Sequence, residues 1–414
     1  MTERVGTLSF LRTEWRFLLF GLLISFWSGP GQTFAIALFG GEIRADFGLS
    51  HGDFGLIFTL ATLASAMILW KTGPLVDRYA LLPFALSAAL IMVVAIAVFS
   101  FAAGPISLFF AILFVRFMGQ GMMAHIAVTA MGKRFVRERG RAIAFAGLGM
   151  PIAQAVMPFA IVAALGIMNW PVVWLILGGA AAVMLLGPIP LLLRNLPDRT
   201  RPAHLNAASN ADTEPNIRQW TRGEMLRDPR FYLMCALPTA FAAVLTGVFF
   251  HQVHIVAVKG WSMEWWSICF AVFAVVNVVT GIGSGLLIDR VGAKAIAPYC
   301  GLPLAVGLVM LSGLNDPYWA VVILALIGMT VGSVMPTTSA LWAEIYGTDH
   351  LGAIRSVVSV AMVFASAFGP VIVGWAFDAD ISMIAIMITC AAIMILSDVS
   401  AYMGVKKTPI SAPS

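Results

Sequence analysis

Apolar residues run along nearly the whole chain in long stretches, interrupted by short charged or Pro/Gly-rich breaks. A hydrocarbon layer of about 30 Å takes about 20 helical residues to cross. Marking the runs on that basis predicts twelve membrane-spanning helices, at 17–40, 54–75, 82–103, 107–131, 142–165, 171–193, 231–257, 265–288, 296–314, 318–343, 356–377 and 382–403. One hydrophilic interval is long, from Arg194 to Arg230, with Pro197, Pro202, Pro215 and an Ala/Asn/Ser/Asp stretch from Asn206 to Asp212. It reads as a cytoplasmic linker. The expected organisation is an N-terminal six-helix bundle over 1–195, a linker over 196–229 and a C-terminal six-helix bundle over 230–414.

The basic residues set a direction, because Lys and Arg are retained on the cytoplasmic side of short loops. With the N-terminus inside, only Arg44 and Lys259 of the 25 Lys and Arg residues fall outside, and only Arg116 falls within a span. Both termini are therefore expected in the cytoplasm. Arg4, Arg12 and Arg16 precede a first apolar run too long for a signal-peptide core, and no small-residue cleavage site follows it, so it is expected to remain as a span.

Composition narrows the class. Hydrophobic residues make up 60% of the 414 positions and charged residues 11%, too few to cover the surface of soluble domains, which excludes a soluble enzyme. The net charge of +5 is scattered over short loops, as a membrane protein requires, and does not form a nucleic-acid footprint. Cys235, Cys269, Cys300 and Cys390 all lie inside apolar stretches, without disulfide or metal spacing. No phosphate-binding loop of the Gly-x-x-x-x-Gly-Lys-Ser/Thr kind occurs, so ATP-driven transport is not expected; no cofactor and no metal are expected either.

A single offset superposes Gly73-Pro-Leu75-Val-Asp77-Arg78 on Gly285-Leu-Leu287-Ile-Asp289-Arg290, and also Gly140 on Gly352 and Pro158 on Pro370. Several coincidences at one offset indicate duplication. Two parallel six-span halves around a midplane cavity are the architecture of a secondary transporter. Here the chain resembles the major facilitator superfamily, over essentially its entire length. Gly73, Leu75, Asp77 and Arg78 match the family's turn motif between spans two and three, and Gly285, Leu287, Asp289, Arg290 and Gly292 match it in the second half. Such a turn needs glycine for close helix approach, a carboxylate facing helix amides or a basic partner, and Arg at the cytoplasmic face. We expect it to act as a conformational latch. Arg116-Phe-Met-Gly119-Gln120-Gly121 resembles the family's span-four pattern, whose Arg the resemblance ties to substrate or proton coupling. The stretch Lys133-Arg134-Phe135 to Gly147-Leu-Gly149 is similar to that of the monocarboxylate porters and the oxalate/formate antiporter group. No basic residue lies inside span eight or eleven, which argues against a dicarboxylate site of that group's design.

Arg116 is the sharpest chemical feature. A central intramembrane Arg costs roughly 2.5–3.5 kcal/mol on insertion scales and is usually directed at a cavity, a partner or an anion. Gln120 follows one turn later on the same face. His125 falls on the opposite side and is expected to pack internally. Span one holds Ser28-Gly29-Pro30-Gly31-Gln32-Thr33, helix-loosening residues of the sort tolerated where a helix lines a cavity, and Gln32 is either a ligand or a packing amide. His251 and His254, three residues apart near the end of span seven, are candidates for proton coupling, and His251 also for substrate. Gln154, Asn277, Thr337 and Thr338 read as interhelical glue; Pro151, Pro158 and Gly369-Pro370 read as kinks. Trp261, Trp265 and Trp266 fit an interfacial belt. No Asp or Glu is central, and Asp398 lies nearest the inner end of span twelve. One fixed positive charge without a central carboxylate favours an anion.

The expected protein is therefore an all-α membrane protein of two pseudo-symmetric six-helix bundles. It is expected as a monomer in a bacterial-type inner (plasma) membrane, transporting a small, monocarboxylate-like anion with protons or by exchange and binding no nucleic acid. An exporter of amphipathic compounds and a non-transporting membrane receptor are the alternatives.

Overall fold

The computed structural model describes residues 7–135, 138–196 and 218–406. Most of the expected linker, positions 197–217, lies outside the described residues, as do Arg4, Arg137 and Lys407. Every regular element among the described residues is helical. Among the described residues eleven helices are long and apolar enough to cross a membrane: His51–Arg78, Leu81–Phe99, Pro105–Arg134, Arg139–Leu165, Trp170–Leu193, Pro229–Phe250, Met263–Val291, Ala293–Gly313, Trp319–Tyr346, Leu351–Asp378 and Met383–Lys406. A twelfth is the pair Ser9–Gly31 and Thr33–Phe47, bent by 46°. In chain order that bent pair is span one and the others are spans two to twelve. Span one is longer than the apolar run 17–40 predicted, because helix continues through the polar residues on either side of that run.

Large apolar side chains stand on the outside of these helices: Trp70 is 80% exposed and Ile106 78%. In water such a surface would aggregate; against acyl chains it carries no penalty. The chain divides into two compact units, Met1–Gly48 with Leu60–Ala208 and Leu49–Thr59 with Ser209–Ser414. The first turns of span two thus pack with the C-terminal spans.

In the first unit Trp174 is fully buried and stacks on Phe99 with centroids 4.0 Å apart, while Phe39 lies 4.8 Å away. Glu14 and the buried Arg134 form a partly buried ion pair at 3.0 Å, with the guanidinium 4.7 Å from the Phe17 ring centroid. In the second unit spans eight and ten come within backbone contact, since a Cβ on Gly328 would lie 2.6 Å from the Phe273 carbonyl oxygen. Span seven ends at Phe250; after His251, at φ −97° and ψ 14°, a further short helix covers Gln252–Val258.

The stretch leading into span seven is tied down on span ten. The Trp220 amide donates to the Tyr346 carbonyl at 3.0 Å, and Gln219 Oε1 accepts from the amides of Thr348 and Asp349. Thr221 and Glu224 form a reciprocal capping box on Arg222–Leu226. Hydrogen bonds from the Thr221 amide, then from Arg218 and the Thr221 hydroxyl, hold the Glu224 carboxyl down to about 2.

Candidate functional site

In the first unit, two neighbouring helices lose regular geometry at the same place. Gly29-Pro30-Gly31 forms a single 3₁₀ turn, and Gln32 is extended at φ −87° and ψ 155° before helix resumes at Thr33. Pro30 has no N–H to donate, and two glycines beside it lower helix propensity further. Opposite, span four is α-helical from Pro105 to Arg116, then π-helical over Phe117–Met123. Single π turns occur frequently at functional sites. Gly31 and Gly119 bring the distortions together: a Cβ on Gly119 would lie 2.7 Å from Gly31 Cα and 2.9 Å from the Ser28 carbonyl oxygen.

Arg116 closes the α-helical part of span four and is buried, 1% exposed. Its Nη1 lies 3.4 Å from both the Gly31 carbonyl oxygen and Thr33 Oγ1, at the long limit for hydrogen bonds. Gln32 and Gln120 are half-buried. The backbone nitrogen of Gln120 lies on the Gly31 side, 2.9 Å from where a Gly31 Cβ would stand. The backbone positions of Gln32 and Gln120 and the Arg116 guanidinium are therefore brought to one junction.

Two buried polar atoms beside the break make no hydrogen bond among the described residues, Trp27 Nε1 and Gln154 Oε1. Trp27 ends the first segment of span one, and Gln154 follows Ala153, which faces Gly29. A buried donor and a buried acceptor without partners call for a water or a ligand. Gln154, expected as interhelical glue, thus has a side-chain oxygen without a protein partner among the described residues.

His125 departs from expectation: it is exposed, its Nε2 3.9 Å from the Cβ position of Gly73, and does not pack internally. The span-four helix simply turns that face outward.

The turn motif differs between its two copies. Asp77 pairs with Lys133 of span four at 2.5 Å, and Lys133 Nζ also donates to the Val76 carbonyl at 3.2 Å. In the second copy Asp289 and Arg290 are exposed and form no ion pair among the described residues. There Glu344 of span ten accepts from the amides of Ala293 and Lys294 at the start of span nine, at 2.6 and 3.3 Å. Gly292, at φ +80°, makes the reversal between spans eight and nine, a conformation that favours glycine.

In the second unit, His251 and His254 do share a surroundings, despite the helix break at His251: their rings lie 5.4 and 4.6 Å from Phe377. His51 at the start of span two joins them, 5.6 Å from His251 and 4.3 Å from His254. The sequence placed His51 outside the apolar run and gave no reason to connect it with positions two hundred residues away. Trp266, expected in an interfacial belt, is 1% exposed and donates to Gln252 Oε1 at 3.0 Å, because a buried indole N–H needs an acceptor. Asp398, passed over as an end residue, is 3% exposed in span twelve. Its Oδ1 accepts from the Gly301 amide at 3.1 Å, where span nine breaks before Leu302.

The profile of the Major Facilitator Superfamily matches residues 18–370 and 266–414, and the chain belongs to that family. It is 26% identical over 236 residues to an uncharacterized protein of Mycobacterium tuberculosis and equally to one of Mycobacterium bovis. The match takes in 56% of this chain, and the chain spans about half the length of these curated relatives, 52%. Among solved structures it is similar to a bacterial homolog of the human lysosomal transporter Spinster in an inward-facing, occupied conformation, with TM-score 0.67, 16% identity and coverage of 94% and 95%. It is also similar to a mutant of the nucleoside transporter NupG, with TM-score 0.68, 13% identity and coverage of 94% and 100%. Identities this low establish the shared fold alone. The chain is a multi-pass membrane protein of that superfamily.

Proposed function

We propose that this transporter moves a small organic anion, monocarboxylate-like, by alternating access, with Arg116 as its principal ligand. The observation that carries the reading is the position of Arg116: a buried guanidinium at the point where span one breaks and span four becomes π-helical. Neither distorted stretch, Ser28–Ile36 nor Arg116–Met123, contains Asp or Glu, so its fixed charge is positive. A carboxylate would accept from Arg116, with amides available from Gln32 and Gln120. Trp27 Nε1 and Gln154 Oε1 would satisfy a polar group on the remainder of the solute.

The distribution of Lys and Arg supports an orientation with both termini cytoplasmic, and we place the protein in an inner (plasma) membrane. On that orientation the Asp77–Lys133 pair is a cytoplasmic latch, with Gly73 and Arg78 in the same turn and Gly285, Asp289 and Arg290 as its counterpart. The protein acts as a monomer, and moves its substrate with protons or by exchange.

Counterflow in proteoliposomes preloaded with pyruvate tests the assignment, using labelled pyruvate outside and lactate, formate or tetraphenylphosphonium as competitors. The expected result is carboxylate-inhibited counterflow, reduced at least about tenfold in apparent affinity by Arg116→Lys, which retains charge but loses the planar fork. Equal affinity in a folded Arg116→Ala would refute the site. Movement of tetraphenylphosphonium in place of carboxylates would put an exporter of amphipathic compounds in its place.

A further inference from the structure

We propose that His51, His251 and His254 form one shared proton-binding site, whose occupancy controls whether the first turns of span two stay docked on spans seven and eleven. The inference rests on the transporter reading and gives its proton-coupled form a place in the chain.

Leu49–Thr59 is held within the C-terminal unit by contacts distributed along its length. Asp378, the last residue of span eleven, accepts from the amides of His51 at 2.9 Å and Gly52 at 2.7 Å, which caps span two with a carboxylate from another helix. Gly55 lies against the span-eleven backbone, where a Cβ would stand 2.9 Å from the Pro370 carbonyl oxygen. The Thr59 hydroxyl donates to the Ala367 carbonyl at 2.6 Å. Phe54 and Phe58 pack on Phe250 with centroids 4.8 and 4.6 Å apart. The docking is thus a small-residue and aromatic contact with a polar cap at one end.

Three of the chain's six histidines converge on that cap. The His51 ring is 4.3 Å from His254 and 5.6 Å from His251, and all three rings lie within 5.5 Å of Phe377. His251 is buried, 4% exposed, with Nε2 2.8 Å from the Pro370 carbonyl oxygen. A carbonyl accepts only, so Nε2 carries hydrogen and an added proton on His251 goes to Nδ1. Histidine is the side chain whose ordinary titration falls between about pH 5 and 8.

The charged groups around the cluster fix the response. Span eleven contributes Asp378, with Asp380 in the turn beyond it, and span two contributes Asp53, one of whose oxygens accepts from the Ser50 amide. Beyond the short helix after span seven, Lys259 is directed to the carbonyls of Ser312 and Leu314 and to Asn315. The carboxylate in contact with the cluster's backbone is Asp378, and one carboxylate balances one added proton. A second proton sets like charges on rings 4.3 to 5.6 Å apart against an apolar Phe377 face. Separation of span two from spans seven and eleven relieves that repulsion.

Cysteine accessibility tests the site without any substrate. Thr59→Cys in lipid nanodiscs is labelled with a methanethiosulfonate reagent at pH 8 and pH 5.5. Rates are normalised at each pH to Tyr318→Cys, a 75% exposed position, and the four native cysteines are buried. The expected result is a rise of about tenfold at Thr59→Cys on acidification, abolished by His51→Gln and by His254→Gln, the latter at a half-buried position that tolerates replacement. No rise in the parent background, or an undiminished rise in both variants, overturns the proposal. Flat labelling alongside normal pyruvate counterflow defeats the proton site alone. A pH-dependent rise without carboxylate counterflow defeats the anion reading alone.

Discussion

Replacing Gly31 by alanine tests whether the close approach of spans one and four builds the site. The new methyl would fall on the Val115 carbonyl oxygen, 2.8 Å from Gly119 Cα and 2.9 Å from the Gln120 amide nitrogen. All three are backbone atoms, so no side chain can rotate away, and ordinary contact needs roughly half an ångström to one ångström more room. The helices must part or the break must rearrange, at a cost of about 1–3 kcal/mol, as for overpacked cores. Either movement carries the Gly31 carbonyl and Thr33 away from Arg116, whose contacts with them are already 3.4 Å long. Gly283→Ala is the control, since nothing lies within 4 Å of its Cβ position. There alanine should be neutral or stabilise by about 0.5–1 kcal/mol. Thermal unfolding in nanodiscs should give a melting temperature several degrees lower for Gly31→Ala than for Gly283→Ala, together with weakened pyruvate counterflow. Adding Gly119→Ala should cost less than its single effect, because both methyls enter the same gap. Equal melting temperatures for Gly31→Ala and Gly283→Ala would refute the reasoning.

Asp77→Asn should alter stability by no more than about 1 kcal/mol, because its pair with Lys133 is partly exposed, while shifting the balance of accessible states; unchanged cysteine labelling from both sides of the membrane would count against a latch. Asp398→Asn keeps an acceptor for the Gly301 amide and should retain stability, whereas Asp398→Ala leaves that amide orphaned and should cost about 1–3 kcal/mol; equal melting temperatures would show that the contact is idle. For Glu224, whose folded carboxyl titrates near 2, the capping contribution is complete above the ordinary value of 4.5 and is lost as pH falls towards about 2. Pepsin cleavage around Arg218–Asp228 should accordingly rise between pH 4 and pH 2, to the extent seen in Glu224→Ala at either pH, and cleavage independent of pH would contradict the cap.

Apolar length alone made the helical class legible, since a bilayer imposes a minimum run and forbids unsatisfied backbone. The resemblance of Gly73–Arg78 and Gly285–Arg290 to one turn motif points to the family from the sequence itself. A lone intramembrane Arg was conspicuous for the same energetic reason, and Gly-Pro-Gly in span one marked the bend that the structure contains. What sequence could not supply was adjacency. The π turn after Arg116 arises from packing, because Gly31 and Gly119 must meet backbone to backbone, and no local pattern in Phe117–Met123 announces it. His51 joined His251 and His254 only through the docking of span two on span eleven, a contact between residues more than 300 positions apart. Asp398 looked like a helix-end charge until span nine broke against it at Gly301. Periodicity and composition report the solvent each residue faces, whereas a site is made by which helices touch, and that is settled by side-chain volume and backbone hydrogen bonds between distant segments.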